Sequence, residues 1–201
     1  QTQLARFDNQ MSMLFSGGSL ADDVFARIGS PLGIVVSRQH YEVEPDIRFP
    51  GACLVAPLKD AEDFAPELQV AFQTLIGLIN ADRGQNGQPP FLIETAREQG
   101  LLGCFAHILQ RGESVPPAEA NLSPALAIVD DVVLIGTSTD QVRRLIAALR
   151  AGESRDQEGD VAVSLDIGLV AALAADNRRA LIAQNVLEKG SDPEQAAKEI
   201  D

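Results

Sequence analysis

Four side chains carry the chemistry of soft metal ligands and thiol nucleophiles: Cys53, Cys104, His40 and His107. Two cysteines and two histidines make up the ligand set of one tetrahedral zinc site. Cys104 and His107 are three residues apart in the apolar run 101–109, which reads as a strand. Side chains three apart on a strand project from opposite faces. Neither a shared metal nor a Cys–His catalytic pair is therefore expected from them, and zinc-finger spacing is absent. His40 can meet a cysteine only across the fold. A Cys53–Cys104 disulfide requires their strands to be neighbours.

The hydroxyl-bearing residues are no more suggestive of catalysis. No Gly-x-Ser-x-Gly elbow occurs, and only two histidines are available as a base. In Gly136-Thr137-Ser138-Thr139, Ser138 stands three residues before Gln141, the pattern of a helix-capping box. Ser16-Gly17-Gly18-Ser19 precedes a helical pattern but lacks both a leading strand and a phosphate-binding lysine, so it reads as a joint between helices. The acidic groups Asp22/Asp23, Asp60/Glu62/Asp63 and Asp130/Asp131 fall at helix starts and turns, where short acidic residues have structural roles. Glu42, Glu44 and Asp46 have no such role, and a metal or partner contact is open for them alone. No catalytic, cofactor-binding or metal-binding residue is assigned, and no cofactor is expected.

Those residues must be positioned by a chain of 201 residues with 16 basic and 29 acidic side chains, a net charge of −13. Such a surface repels phosphate backbones, so nucleic acid is not an expected partner. With eight Phe, one Tyr and no Trp, the core must come from Leu, Ile, Val and Ala. No apolar run approaches the ~20 residues that cross a bilayer, so no membrane insertion is expected.

Helical spacing over residues 4–15 places Leu4, Phe7, Met11, Leu14 and Phe15 on one stripe, and a second short helix is expected from Ser19 to about Ile28. Strands are expected at residues 32–37 and 52–56, forming an antiparallel pair with a long connection, and Pro57 ends the second. Asp60 is the candidate cap of the longest helix, whose Leu68, Phe72, Leu75 and Ile79 form an apolar stripe, with Pro66 expected in its first turn. Two hairpins follow, turning at Gln99-Gly100 and Asp130-Asp131, then a helix capped by Ser138. Residues 161–165 read as a strand, Asp166 as the cap of a helix reaching Leu173 and continuing to Leu187, and Asp192-Pro193 as the start of the last helix. That helix has no C-terminal cap and Gln1-Thr2-Gln3-Leu4 has no signal-peptide layout, so the expectation is a piece of a larger protein.

The stretch 123–149, a tight hairpin followed by a Thr/Ser-capped helix, resembles a pattern in uncharacterised bacterial envelope proteins built from duplicated α+β units. Ile34-Val35-Val36 and Leu54-Val55-Ala56 before the long helix are similar to the earlier part of such a unit. The resemblance covers residues 30–150. It implies a secreted, periplasmic or envelope-associated setting, with a cytoplasmic one as the alternative, and carries over no functional residue.

Together these patterns predict an α+β fold: a mainly antiparallel sheet of six to seven strands with helices packed on one face. Residues 1–152 form the main domain, 153–159 a linker, and 160–201 the start of a second unit or an extension packed back on the first. The expected function is a non-catalytic structural or protein-interaction module whose partners are other proteins or other domains of its own chain. The alternatives are a hydrolase-like enzyme using carboxylates or Cys/His, and a small-ligand-binding domain.

Overall fold

A computed structural model of the chain describes residues 26–41, 45–108, 121–152 and 167–200. Their centre is one six-stranded, wholly antiparallel sheet, so the fold is α+β. The strands are β1 (Gly33–Ser37), β2 (Gly51–Pro57), β3 (Phe91–Glu98), β4 (Leu101–Ile108), β5 (Ala125–Val129) and β6 (Val132–Gly136), in spatial order β1-β2-β6-β5-β4-β3. β3, β4, β5 and β6 pair in chain order as a meander. β2 then pairs with β6, Cys53 opposite Gly136, and joins the first pair of strands to it. The expected strand at 161–165, the linker and the helix over 4–15 lie outside the described residues.

The turns follow local chemistry. Gly100 (φ 68°) and Asp130 (φ 52°) adopt left-handed backbone, which glycine permits freely and aspartate tolerates. The two turns adjoin, with the Asp130 N–H donating to the Gly100 carbonyl at 2.8 Å.

Five helices are described: α1 (Ala61–Gln85), α2 (Thr139–Arg150), α3 (Ile167–Asp176), α4 (Arg178–Lys189) and α5 (Pro193–Ile200). The expectation of helices on a single face needs correction. Phe64, Leu68, Phe72 and Ile76 of α1 pack against Ala56, Cys104, Leu126, Ile128 and Val133. Val142 and Ile146 of α2 pack against Cys53, Phe105, Ala125, Ala127 and Leu134, the alternate residues of the same strands. Because side chains alternate along a strand, these are opposite faces. β5, buried at every position, is covered on both sides. Close packing of α2 requires Gly136, where a Cβ would lie 2.5 Å from Val142 Cγ2.

Helix boundaries were partly legible. Ser138 caps α2 by accepting from the Gln141 N–H (3.4 Å), and Asp192 caps α5 through bonds from the Glu194 and Gln195 N–H groups, both 2.9 Å. Asp60 precedes α1, but its side chain makes no capping bond. Its left-handed backbone turns the carbonyl to accept from the Asp63 and Phe64 N–H groups instead. Pro66 is the sixth residue of a continuous helix rather than part of its first turn. It faces solvent, where water can satisfy the carbonyl left without a donor. The chain is already in a β-bridge at Ile28, paired with Leu58, so no helix reaches that residue. The helix expected to run on to Leu187 breaks at Asn177, whose side-chain amide donates to the Leu173 and Arg48 carbonyls.

Candidate functional site

The thiols are the first chemistry to place. Cys53 lies on the α2 face and Cys104 on the α1 face, so the sheet itself separates them and both are free. The disulfide left open by the sequence is therefore not formed. Burial pushes the Cys53 thiol up to about 11 and raises that of Cys104 as well, so both stay protonated at neutral pH and neither is an activated nucleophile. An aromatic disulfide reagent should label no thiol in the native chain and two in denaturant without reductant. Rapid native labelling of either would refute this placement. His107, an odd-numbered residue of β4, projects from the face opposite Cys104 and is exposed, and its side chain makes no hydrogen bond or ion pair among the described residues.

His40 belongs to a cleft formed where residues 38–49 meet the end of α3. Its Nδ1 is 3.3 Å from Asp140 Oδ2. Arg38 holds Asp176 through two bonds, Nε to Oδ2 at 2.7 Å and Nη2 to Oδ1 at 2.6 Å, and Arg48 Nη1 adds a contact at 3.6 Å. The hydrogen bond from Arg38 keeps the Asp176 carboxyl below its ordinary range, so it is an engaged anion rather than a proton donor. Tyr41 places its hydroxyl 2.7 Å from the Phe49 carbonyl and 2.8 Å from Asn121 Oδ1, and burial raises its phenol. These groups bind one another and fix the loop. The cleft, about 240 Å³, lies below the ~300–1,000 Å³ of ordinary small-molecule sites. Of the carboxylate group without a structural role, Asp46 is exposed, and Glu42 and Glu44 lie outside the described residues.

A different surface stands out physically. α1 crosses its face of the sheet diagonally. Its start packs near Leu58 at the end of β2, and near its other end Asn80 bonds the Phe91 backbone of β3. The opposite corner of that face, over β1, β2 and β6, is bare. Ile34 is 71% exposed, Val36 48% and Ile135 42%, around half-buried Leu54. Register aligns Ile34, Leu54 and Ile135 in one row. Gln69 and Asn80 mark the side of α1 that faces β3. Leu75 and Leu78 lie on the other side of the helix by helical geometry, 39% and 59% exposed. The open corner of the sheet makes an apolar shelf.

The outer strands of the described sheet differ in character. β3 carries Glu94, Arg97 and Glu98, charges that discourage edge pairing, whereas β1 (Gly-Ile-Val-Val-Ser) carries none. α3 also departs from an ordinary surface helix. It is apolar on all sides except Asp176, and none of its described side chains is buried.

No family model, curated protein or solved structure matches the chain. No helix among the described residues is long and apolar enough to cross a membrane.

Proposed function

We propose that the chain is a non-catalytic protein-interaction module of a larger extracytoplasmic bacterial protein, and that its working surface is the bare corner over β1, β2 and β6. The observation that carries this reading is the row Ile34–Leu54–Ile135, aligned across three strands, with Ile34 and Ile135 exposed. Contiguous exposed apolar surface of this kind marks contact sites. The extracytoplasmic setting rests on the resemblance of residues 30–150 alone. The thiols do not bear on it, because two groups buried on opposite faces cannot pair in any redox compartment.

The occupant that fits is a single amphipathic helix with a basic polar face. Three strands about 4.8 Å apart present a floor about 10 Å between outer axes, the diameter of one helix. A net charge of −13 favours lysine and arginine on the side turned to solvent and speeds the encounter at low salt. The enzyme reading is weaker, since His40, Asp140 and Asp176 are held in structural pairs and the thiols are protonated.

A fluorescent 12-residue helical peptide with leucines at i, i+3, i+4 and i+7 and lysines elsewhere should bind the full chain saturably. Its acidic counterpart should bind at least tenfold more weakly. Ile135→Asp should abolish binding of the basic peptide while leaving the urea midpoint nearly unchanged, because the side chain is exposed in the free fold. Equal binding of the basic peptide by the Ile135→Asp chain would remove this surface from consideration.

A further inference from the structure

The α1 face is not the only open part of the sheet. Among the described residues, β1 pairs with β2 alone. The phase of its backbone follows from β2. The Ala52 N–H donates to Thr137 Oγ1 at 3.0 Å and its carbonyl accepts from the Thr137 N–H at 2.9 Å, so Ala52 turns both groups toward β6. Pro57, of opposite parity, turns its carbonyl the other way and accepts from the Gly29 N–H at 2.7 Å. Cys53 and Val55 therefore bond to Val35 and Gly33, and Ile34 and Val36 point their N–H and C=O groups away from the sheet. No hydrogen bond among the described residues engages those outward groups.

The strand is held ready for pairing. Gln141, 1% exposed, donates from Nε2 to the Val35 carbonyl at 3.0 Å and pins the middle of β1 to α2. Ile34, Val35 and Val36 are all β-branched, which favours extended pairing, and none carries a charge to oppose it. Reversed, the strand is its own complement. Antiparallel pairing about Val35 sets Ile34 opposite Val36 of a second copy, and each such pair exchanges both of its outward groups.

We propose that two copies of the chain associate edge to edge through β1, about a two-fold axis at Val35, and so join their six-stranded sheets into one. The contact is isologous and consumes the open edge of each copy. The other outer strand, β3, presents Glu94, Arg97 and Glu98, so association stops at two. Pairing uses the edge of the sheet and leaves Leu54 and Ile135 open on the α1 face, so it stands or falls separately from the shelf. Across the axis the two β2 strands lie about 14 Å apart, wider than the ~10 Å diameter of a helix, so two partner helices fit side by side. Strands of five residues bury less than the ~1,000 Å² of a stable interface, so the dimer is weak and concentration-dependent. The charge of −13 on each copy opposes it, and salt relieves that repulsion. Salt therefore tightens the dimer while it slows the encounter with a basic helix.

Sedimentation equilibrium of the full chain, taken to about 1 mM, should show the mass rising toward a dimer and no further. Raising the ionic strength from about 0.01 to 0.15 M should lower the dissociation constant by about threefold or more. Val36→Pro removes an outward N–H on an edge strand, where proline is tolerated, and should weaken the dimer by about tenfold or more with the urea midpoint nearly unchanged. Association unaffected by Val36→Pro, or growth beyond two copies, overturns the proposal. A second measurement does not depend on the stability of that variant. In a Cys53→Ala chain, which lacks the thiol opposite position 35, Val35→Cys at the axis should form an intermolecular disulfide on mild oxidation. Ser37→Cys in the same background lies about 14 Å from its counterpart across the axis and should give roughly tenfold less. Equal yields, or a chain that stays monomeric throughout, overturn the dimer. A monomeric chain whose edge takes up an Ile-Val-Val peptide would overturn it in favour of an extended partner segment.

Discussion

Phe64→Ala should lower the unfolding free energy by about 3–5 kcal/mol, seen as a lower urea midpoint with an unchanged slope. Phe64 is fully buried in the first turn of α1, within the cluster that includes Leu58, Leu68, Leu126 and Val133, and its ring lies under the Arg27 guanidinium. Truncation would leave a cavity where three segments meet, and the backbone bonds Gly29 N–H to Pro57 carbonyl (2.7 Å) and Lys59 N–H to Arg27 carbonyl (2.8 Å) limit how far the site can collapse. The large effect should be specific to the covered part of the α1 face. Leu78→Ala, on the exposed flank of the same helix, should cost less than about 0.5 kcal/mol. Equal losses at the two positions would contradict the diagonal placement of α1.

Asn121→Ala should cost about 2–4 kcal/mol, a large effect for a polar residue outside the sheet. Asn121 is 6% exposed. Its Nδ2 donates to the Ile47 carbonyl at 2.7 Å, its Oδ1 accepts from the Phe49 N–H at 2.8 Å, and its own carbonyl accepts from Gln39 Nε2 at 3.2 Å. Without the side chain, at least two backbone groups of the 38–50 connection lose their partners. The same connection holds the C-terminal helices, because Asn177 accepts from the Arg48 N–H at 2.7 Å and donates to its carbonyl at 2.8 Å. Amide exchange at Arg48 should therefore accelerate along with that at Phe49. Protection unchanged at both would show that the loop is held by other means.

How much of this was legible depends on the range of each cause. The hairpin turning at Asp130-Asp131, the Ser138 cap and the Asp192-Pro193 start are decided within a few residues, and each is written in those residues. The parity argument at Cys104 and His107 needed only the period of a strand, and register supports it. The second covered face was also signalled, since Ala125-Leu-Ala-Ile-Val is apolar without alternation. Which face received which helix was not, because that depends on crossings between distant segments. Asn121 and Asn177 look like ordinary loop residues, their partners lying as many as 82 and 129 positions away. Ile34 and Ile135 belong to runs that read as core strand, and nothing local tells a covered isoleucine from a bare one. The shelf, the feature on which the functional proposal turns, could emerge only from the path of α1.

The strand order also bears on how the chain is made. β2 is synthesised early, yet its second neighbour is β6, with Cys53 pairing to Gly136 from 83 positions downstream. At roughly 5–20 residues per second, that partner arrives about 4–17 s later on the ribosome. Until then the edge of β2 that β6 will cover is open, and the β1–β2 pair has no meander on which to rest. Closing the sheet by so long-range a contact also makes folding slow relative to a local meander. A nascent chain ending before Val132 would carry nearly all the apolar residues of the α1 face while lacking the strand that joins its two halves, the state in which aggregation competes best with folding.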